Sequence, residues 1–192
     1  MSSMEKSGGC HRERTPRSAT APMTISLTDT LCTVCGICCD GVLFADVELA
    51  GRHEVSALEV LGLDVEDPDE DHHGLLLQPC GALHGTRCSI YAHRPECCRT
   101  FECRLLQEAQ RGIVTIEDAT ATIGETLSRI VHIRALAAAL GQLDERMSLR
   151  ELCIDALASS ETHPATPQVK RVWNELESAM KKLEIVIRDT FL

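Results

Sequence analysis

The segment Cys32-Thr33-Val34-Cys35-Gly36-Ile37-Cys38-Cys39 places four thiols within eight residues. Two residues between Cys32 and Cys35 allow two sulfurs to reach one ion, and Gly36 lets the backbone turn tightly around it. Adjacent side chains diverge, so Cys38 and Cys39 are expected to serve different corners of a cluster or different ions. The loop therefore needs donors from elsewhere in the chain. A ferredoxin-type run would place a fourth cysteine four positions after Cys38, followed by proline, but Val42 and Leu43 stand there.

Those donors are present further on. Nine of the eleven cysteines lie between 32 and 103: the four above, then Cys80, Cys88, Cys97, Cys98 and Cys103. In a short secreted chain such density would read as a disulfide framework. The N-terminal MSSMEKSGGCHRERTPRSATAP has no apolar h-region, so no secretory signal is expected and the chain reads as cytoplasmic. In a reducing compartment, clustered cysteines point to metal thiolates rather than disulfides. Buried free thiols are the ordinary reading of a single cysteine. They fit the outlying Cys10 and Cys153 and are a poor reading of four thiols in eight residues. Taken together, Cys32, Cys35, Cys38, Cys39, Cys80, Cys88, Cys98 and Cys103 suit two tetrahedral zinc sites, two cubane clusters, or one cluster with spare thiols.

A thiolate-bound metal carries net negative charge, which nearby guanidinium groups offset while hydrogen-bonding sulfur. Arg94 and Arg99 are the candidates for that role, ahead of Arg87 and Arg104. His84 lies between Cys80 and Cys88, but with so many thiols available a ligand role for it is disfavoured, and more so for His72, His73 and His93. The acidic DVEDPDEDHH (64–73) lacks the EF-hand order of ligands and reads as a solvated loop. No HExxH, phosphate-binding loop, GxSxG elbow or dinucleotide fingerprint is visible. The formal charge of −10 and only 3% aromatic residues argue against nucleic-acid binding. No apolar run approaches a membrane span.

Around the cysteines the pattern predicts an α+β, mostly helical chain. Residues 1–23 read as a disordered tail, 24–111 as a small irregular cysteine-rich metal-binding domain with short strands, and 112–192 as a helical C-terminal region. In the middle part, a strand or turn is expected over 24–31, a Cys/Gly loop over 32–41, a strand over 42–47 and a helix over about 47–62. A buried strand (74–78) and a helix over 96–111 follow. In the last part, Thr115 with Asp118, Ser148 with Glu151, and Thr166 with Pro167 mark three helix starts. The apolar stripe from Ile116 to Leu140 keeps a helical period. An exposed stripe on these helices would suit a protein partner.

The order Cys32-x-x-Cys35-Gly36-x-Cys38-Cys39, Pro79-Cys80, Cys88-Ser-Ile-Tyr91-x-x-Arg94-Pro95-x-x-Cys98-Arg99-x-Phe101 resembles the YkgJ-type CxxCxxCC cysteine-cluster family. The resemblance covers roughly residues 30–105. It implies a small domain chelating zinc or an iron–sulfur cluster, with Cys32, Cys35, Cys38, Cys39, Cys80, Cys88 and Cys98 matching the motif and Cys103 a companion. Cys97 falls where the pattern tolerates other residues. Flagellin lysine-N-methylases carry a similar cysteine domain inside a longer chain. The expectation is thus a metal-binding protein. The alternative is a metal- or cluster-dependent enzyme of the same family, with redox or protein methyl-transfer chemistry.

Overall fold

The computed structural model describes residues 26–66, 74–144, 146–158 and 166–192. It is an α+β structure, mostly helical, in which a few short antiparallel strands precede long C-terminal helices. Cys10, His72, His73 and most of the acidic 64–73 segment lie outside the described residues.

The first element departs from expectation. Residues Leu27–Cys35 form helix α1, where a strand or turn and then a loop were expected. Ser26 caps it, its hydroxyl accepting from Asp29 N–H at 3.0 Å, and Asp29 sits favourably in the positive first turn. Leu27 and Leu31, one turn apart, pack inward. Gly36 ends the helix in the left-handed conformation (φ 67°) that glycine adopts without penalty. The signal was legible: Ser26-x-x-Asp29 is the same start pattern as Thr115-x-x-Asp118.

A three-stranded antiparallel sheet follows, with β1 (Asp46–Glu48), β2 (Val65–Glu66) and β3 (Leu75–Leu77) in the order β1-β3-β2. Val47 and Val65 both pair with Leu76, so the short buried strand expected over 74–78 is central. The strand expected over 42–47 starts four residues later, and α2 runs Arg52–Val60 rather than 47–62, because Gly51 breaks the chain between them (φ 137°). Strands β4 (Leu83–His84) and β5 (Arg87–Cys88) make a hairpin. A single 3-10 turn, Tyr91–His93, leads into α3 (Glu96–Thr100) and α4 (Arg104–Gln110). One helix was expected over 96–111. Instead Phe101 is extended (ψ 124°) and splits it.

The C-terminal helices start where their caps predict. Helix α5 spans Ile116–Ala139 behind Thr115. Helix α6 spans Leu149–Ala158, and Ser148 and Glu151 exchange side chain-to-backbone hydrogen bonds in a reciprocal box. Helix α7 spans Pro167–Thr190 behind Thr166.

Two hydrophobic cores result. The larger joins α5, α6 and α7, including Ile133, Cys153, Leu176 and Phe191, and takes in Leu31 of α1, Ile37, and Leu105 and Leu106 of α4. The smaller joins α2 and the three-stranded sheet through Leu49, Val55, Leu58 and Leu76, with Cys80 and Ala82. The first cysteine segment is thus anchored on the C-terminal helices. Fully buried Cys153 is a core residue of α6, as its place in the sequence suggested.

Candidate metal centre

Four segments converge between the two cores. The last turn of α1 presents Cys32 and Cys35, which share one helix face. The chain then turns at Gly36, with Cys39 N–H donating to Gly36 C=O at 2.9 Å, and brings Cys38 and Cys39 round. Arg134 of α5 holds this turn, donating to the Asp40 carboxylate at 3.1 Å. The hairpin packs against the same glycine. A β-carbon at Gly36 would stand 3.1 Å from Thr86 Cα and 3.2 Å from Thr86 O. Thr86 Oγ1 also donates to Thr33 C=O at 3.1 Å. Cys80 N–H donates to Cys39 C=O at 2.9 Å, which fixes the second segment beside the first. Cys88 ends β5, Cys97 and Cys98 lie on α3, and Cys103 is the N-cap of α4.

All nine of these thiols line one cavity of about 330 Å³. The eight expected from the sequence are there, and so is Cys97, which the sequence reading set aside. Arg94 and Arg99 line it too. His84 is exposed at the hairpin tip and does not. The remaining wall is largely apolar, from Leu43, Phe44, Leu76, Leu106 and Phe191. Phe44 meets Phe101 edge to face, with centroids 5.1 Å apart. Among the described residues no three of these donors already stand around a common point in coordinating geometry.

Cys38 and Cys39 do not diverge as expected: their sulfurs are 3.6 Å apart. Cys97 and Cys98 are 3.9 Å apart. A tetrahedral zinc site with Zn–S bonds of about 2.3 Å has S···S edges of about 3.8 Å, so both pairs already stand near ligand spacing. The donors lining the cavity are nine soft thiols with the carboxylates of Asp46 and Glu48 in the same wall, and the preponderance of sulfur suits zinc or iron–sulfur ligation over hard cations. The residues present therefore fit a thiolate-bound metal.

Burial keeps most of these thiols protonated. Burial, reinforced by Cys38 and Cys103, raises the Cys32 thiol to about 11. Burial raises Cys35 to about 12, with Cys38, Cys103 and Cys32 adding to it and a hydrogen bond from Ile37 N–H opposing. Cys80, Cys97, Cys98 and Cys103 are likewise raised, chiefly by burial. Within the close pair, hydrogen bonding to Cys39 lowers Cys38 and raises Cys39. Thiols crowded into an apolar cavity resist ionising one by one, and a bound cation removes that resistance.

Arg94 counters the negative side. Its guanidinium carbon lies 3.7 Å from the Tyr91 ring centroid, and its Nε donates to Tyr91 C=O at 3.1 Å. The Tyr91 hydroxyl in turn donates to Asp29 Oδ1 at 2.8 Å, tying this assembly to α1. Half-buried Arg94 works against the rise at Cys32 and helps lower Cys38. Sequence reasoning named Arg94 but missed Tyr91 and Asp29, although the Tyr91-x-x-Arg94 spacing was in view. It also missed Glu54 of α2. That carboxylate accepts from Glu96 N–H at 2.8 Å and Ala50 N–H at 2.9 Å, so it pins the start of the helix carrying Cys97 and Cys98.

Residues 31–120, just under half of the chain, match the model of the CxxCxxCC family, described as "Putative zinc- or iron-chelating domain". No curated protein and no solved structure matches the chain. No helix among the described residues is long and apolar enough to cross a membrane.

Proposed function

From a chain whose residues 31–120 carry a CxxCxxCC domain, we propose a protein that holds zinc or an iron–sulfur cluster as a thiolate centre in the interlobe cavity. Its ligands are drawn from Cys32, Cys35, Cys38, Cys39, Cys80, Cys88, Cys98 and Cys103. The observation that carries this reading is the meeting of thiols from four separated segments in one cavity lined by Arg94. Such a metal supplies cross-links that the small strand core lacks. Structural metal binding of order 10 kcal/mol outweighs the few kcal/mol of entropy lost in closing a loop of about 40 residues. Arg94 and Arg99 offset the thiolate charge at the cavity wall.

A second reading is an enzyme using the same centre. It draws support from the apolar part of the wall, which leaves room for a small molecule beside the thiols.

The test is metal analysis with visible absorption of protein purified without oxygen. Broad absorption around 400 nm with iron and sulfide marks a cluster, and colourless protein with stoichiometric zinc marks zinc. Protein that carries neither metal, and takes up neither zinc nor iron with sulfide, overturns the proposal.

A further inference from the structure

We propose that the cavity also takes a small neutral organic molecule, with a flat apolar body and one amide or hydroxyl group, held by Phe44, Phe101 and the side-chain amide of Gln78. This goes beyond the metal reading and uses none of the candidate metal ligands.

The placement of the aromatic residues carries the apolar part. The chain has only three phenylalanines, and all three, Phe44, Phe101 and Phe191, line this cavity. Among the described residues neither hydrophobic core draws on Phe44 or Phe101. Their rings instead meet each other edge to face at 5.1 Å. Such a pair offers a face and an edge to a third flat group. Phe101 is 36% exposed, so the aromatic wall stands at the mouth of the cavity and not deep in the packing. Phe101 and Phe191 also line the adjoining surface groove, beside Arg104 and Arg111. The cavity volume of about 330 Å³ lies at the lower end of small-molecule sites, roughly 300–1,000 Å³.

Gln78 supplies the polar part. It follows β3, and its N–H donates to Ala45 C=O at 2.9 Å, which continues the β1–β3 ladder. Residues two apart on a strand share a face, so Gln78 lies on the side of Leu76. Both line the cavity. The same hydrogen bond sets Gln78 beside Ala45, the chain neighbour of Phe44. Gln78 is only 6% exposed, and its side-chain oxygen is buried without a hydrogen-bond partner. Buried polar groups are normally paired, so this one calls for a partner. A wall that only kept water from a metal would be served by a second leucine, as at position 76. A half-turn of the amide exchanges its oxygen and nitrogen, so a ligand group that both donates and accepts fits it. The amide carries no charge, and an ion buried beside it would lose its hydration uncompensated, which sets the ligand as neutral.

The test uses the full chain purified without oxygen, with its metal content measured alongside, and two probes sharing one ring, benzamide and toluene. Saturation-transfer NMR titrations give their dissociation constants. Wild type should bind both and favour benzamide by about two- to tenfold, the range of one net hydrogen bond. Gln78→Leu should keep toluene binding and metal content, melt no lower than wild type, and lose the preference for benzamide. Phe101→Ala should weaken both probes by about two- to tenfold.

Because a variant can fail to fold, a wild-type crystal soaked in benzamide is also solved. The ring should lie against Phe44 and Phe101 with its amide on Gln78. No binding of either probe, the same preference in wild type and Gln78→Leu, or a ring outside the cavity overturns the organic site. So does a Gln78→Leu chain that melts lower and loses both probes, since Gln78 is then structural. Metal content reports on the thiolate centre separately. Metal-loaded protein that ignores benzamide overturns only the organic site, and metal-free protein that binds benzamide at Gln78 overturns only the metal reading.

Discussion

The backbone N–H of Cys80 donates to the carbonyl oxygen of Cys39 across 2.9 Å, joining residues 41 positions apart in the chain. A main-chain bond between two cysteine-bearing segments holds both sulfurs beside one cavity whatever their rotamers. The two cysteine-bearing segments are therefore brought together by the main chain itself, before any side chain contributes.

Removing the metal should act unevenly. Helices α5–α7 bury Ile133, Leu176 and Ala137 against one another, whereas among the described residues the strand half rests on a smaller core of seven buried residues. Anaerobic chelation should make the 36–103 region protease-sensitive while most helical circular dichroism persists. Unchanged proteolysis of the stripped protein would show that this half folds without metal.

Ligand substitution should separate thiols by location. Cys32→Ser, Cys35→Ser and Cys38→Ser should each lower bound metal, since a hydroxyl is a poor ligand for zinc or iron beside thiolate. Cys153→Ser should keep the metal and lose about 1–2 kcal/mol of stability, because it buries a hydroxyl in the α5–α7 core. Metal analysis and urea unfolding of the four variants distinguish the outcomes, and equal metal content in all four contradicts the assignment.

Gly36→Ala should be costly. A left-handed alanine loses about 1–2 kcal/mol, and its β-carbon would meet the Thr86 backbone at 3.1–3.2 Å. Displacing Thr86 moves the hairpin away from α1, so thermal stability and metal content should fall together. Gly85→Ala, equally left-handed but with open space around it, should cost stability and leave metal content near wild type.

Glu54→Ala should loosen α3 from a distance. It strips the acceptor from the solvent-exposed N–H groups of Ala50 and Glu96, where water can replace it, so the loss is about 0.5–1.5 kcal/mol. Glu54→Gln keeps one acceptor and should recover part of it. Hydrogen exchange at Glu96 reports the change directly.

Stability should depend on pH in opposite senses with and without metal. Folding raises Cys32 to about 11 and Cys35 to about 12 from an ordinary 9.0, by burial first. A group raised in the folded state contributes stability that is complete below its unfolded pKa and is lost as pH climbs through the folded one. Metal-free protein should therefore weaken from about pH 9 upward. Metal binding needs thiolates and expels their protons, so the loaded form should weaken as pH falls. Calorimetric binding in buffers of different ionisation enthalpy measures the proton release.

Sequence alone was enough to pick out the thiols that line the cavity and to place the long helices. Spacing identified the thiols, because soft ligands are few in kind and Cys32-x-x-Cys35 has local meaning. The caps at Thr115, Ser148 and Thr166 marked α5, α6 and α7, because capping is satisfied within four residues. Tertiary structure decided what local rules leave open. Helix α1 forms over a segment expected as strand, turn and loop, since Leu27 and Leu31 find a core made by residues a hundred positions away. The 96–111 helix breaks at Phe101, where the ring packs on Phe44. The 3.6 Å approach of Cys38 to Cys39 and the inward position of Cys97 depend on which core each segment joins. That choice is made by burial between distant parts of the chain, and no window of neighbouring residues contains it.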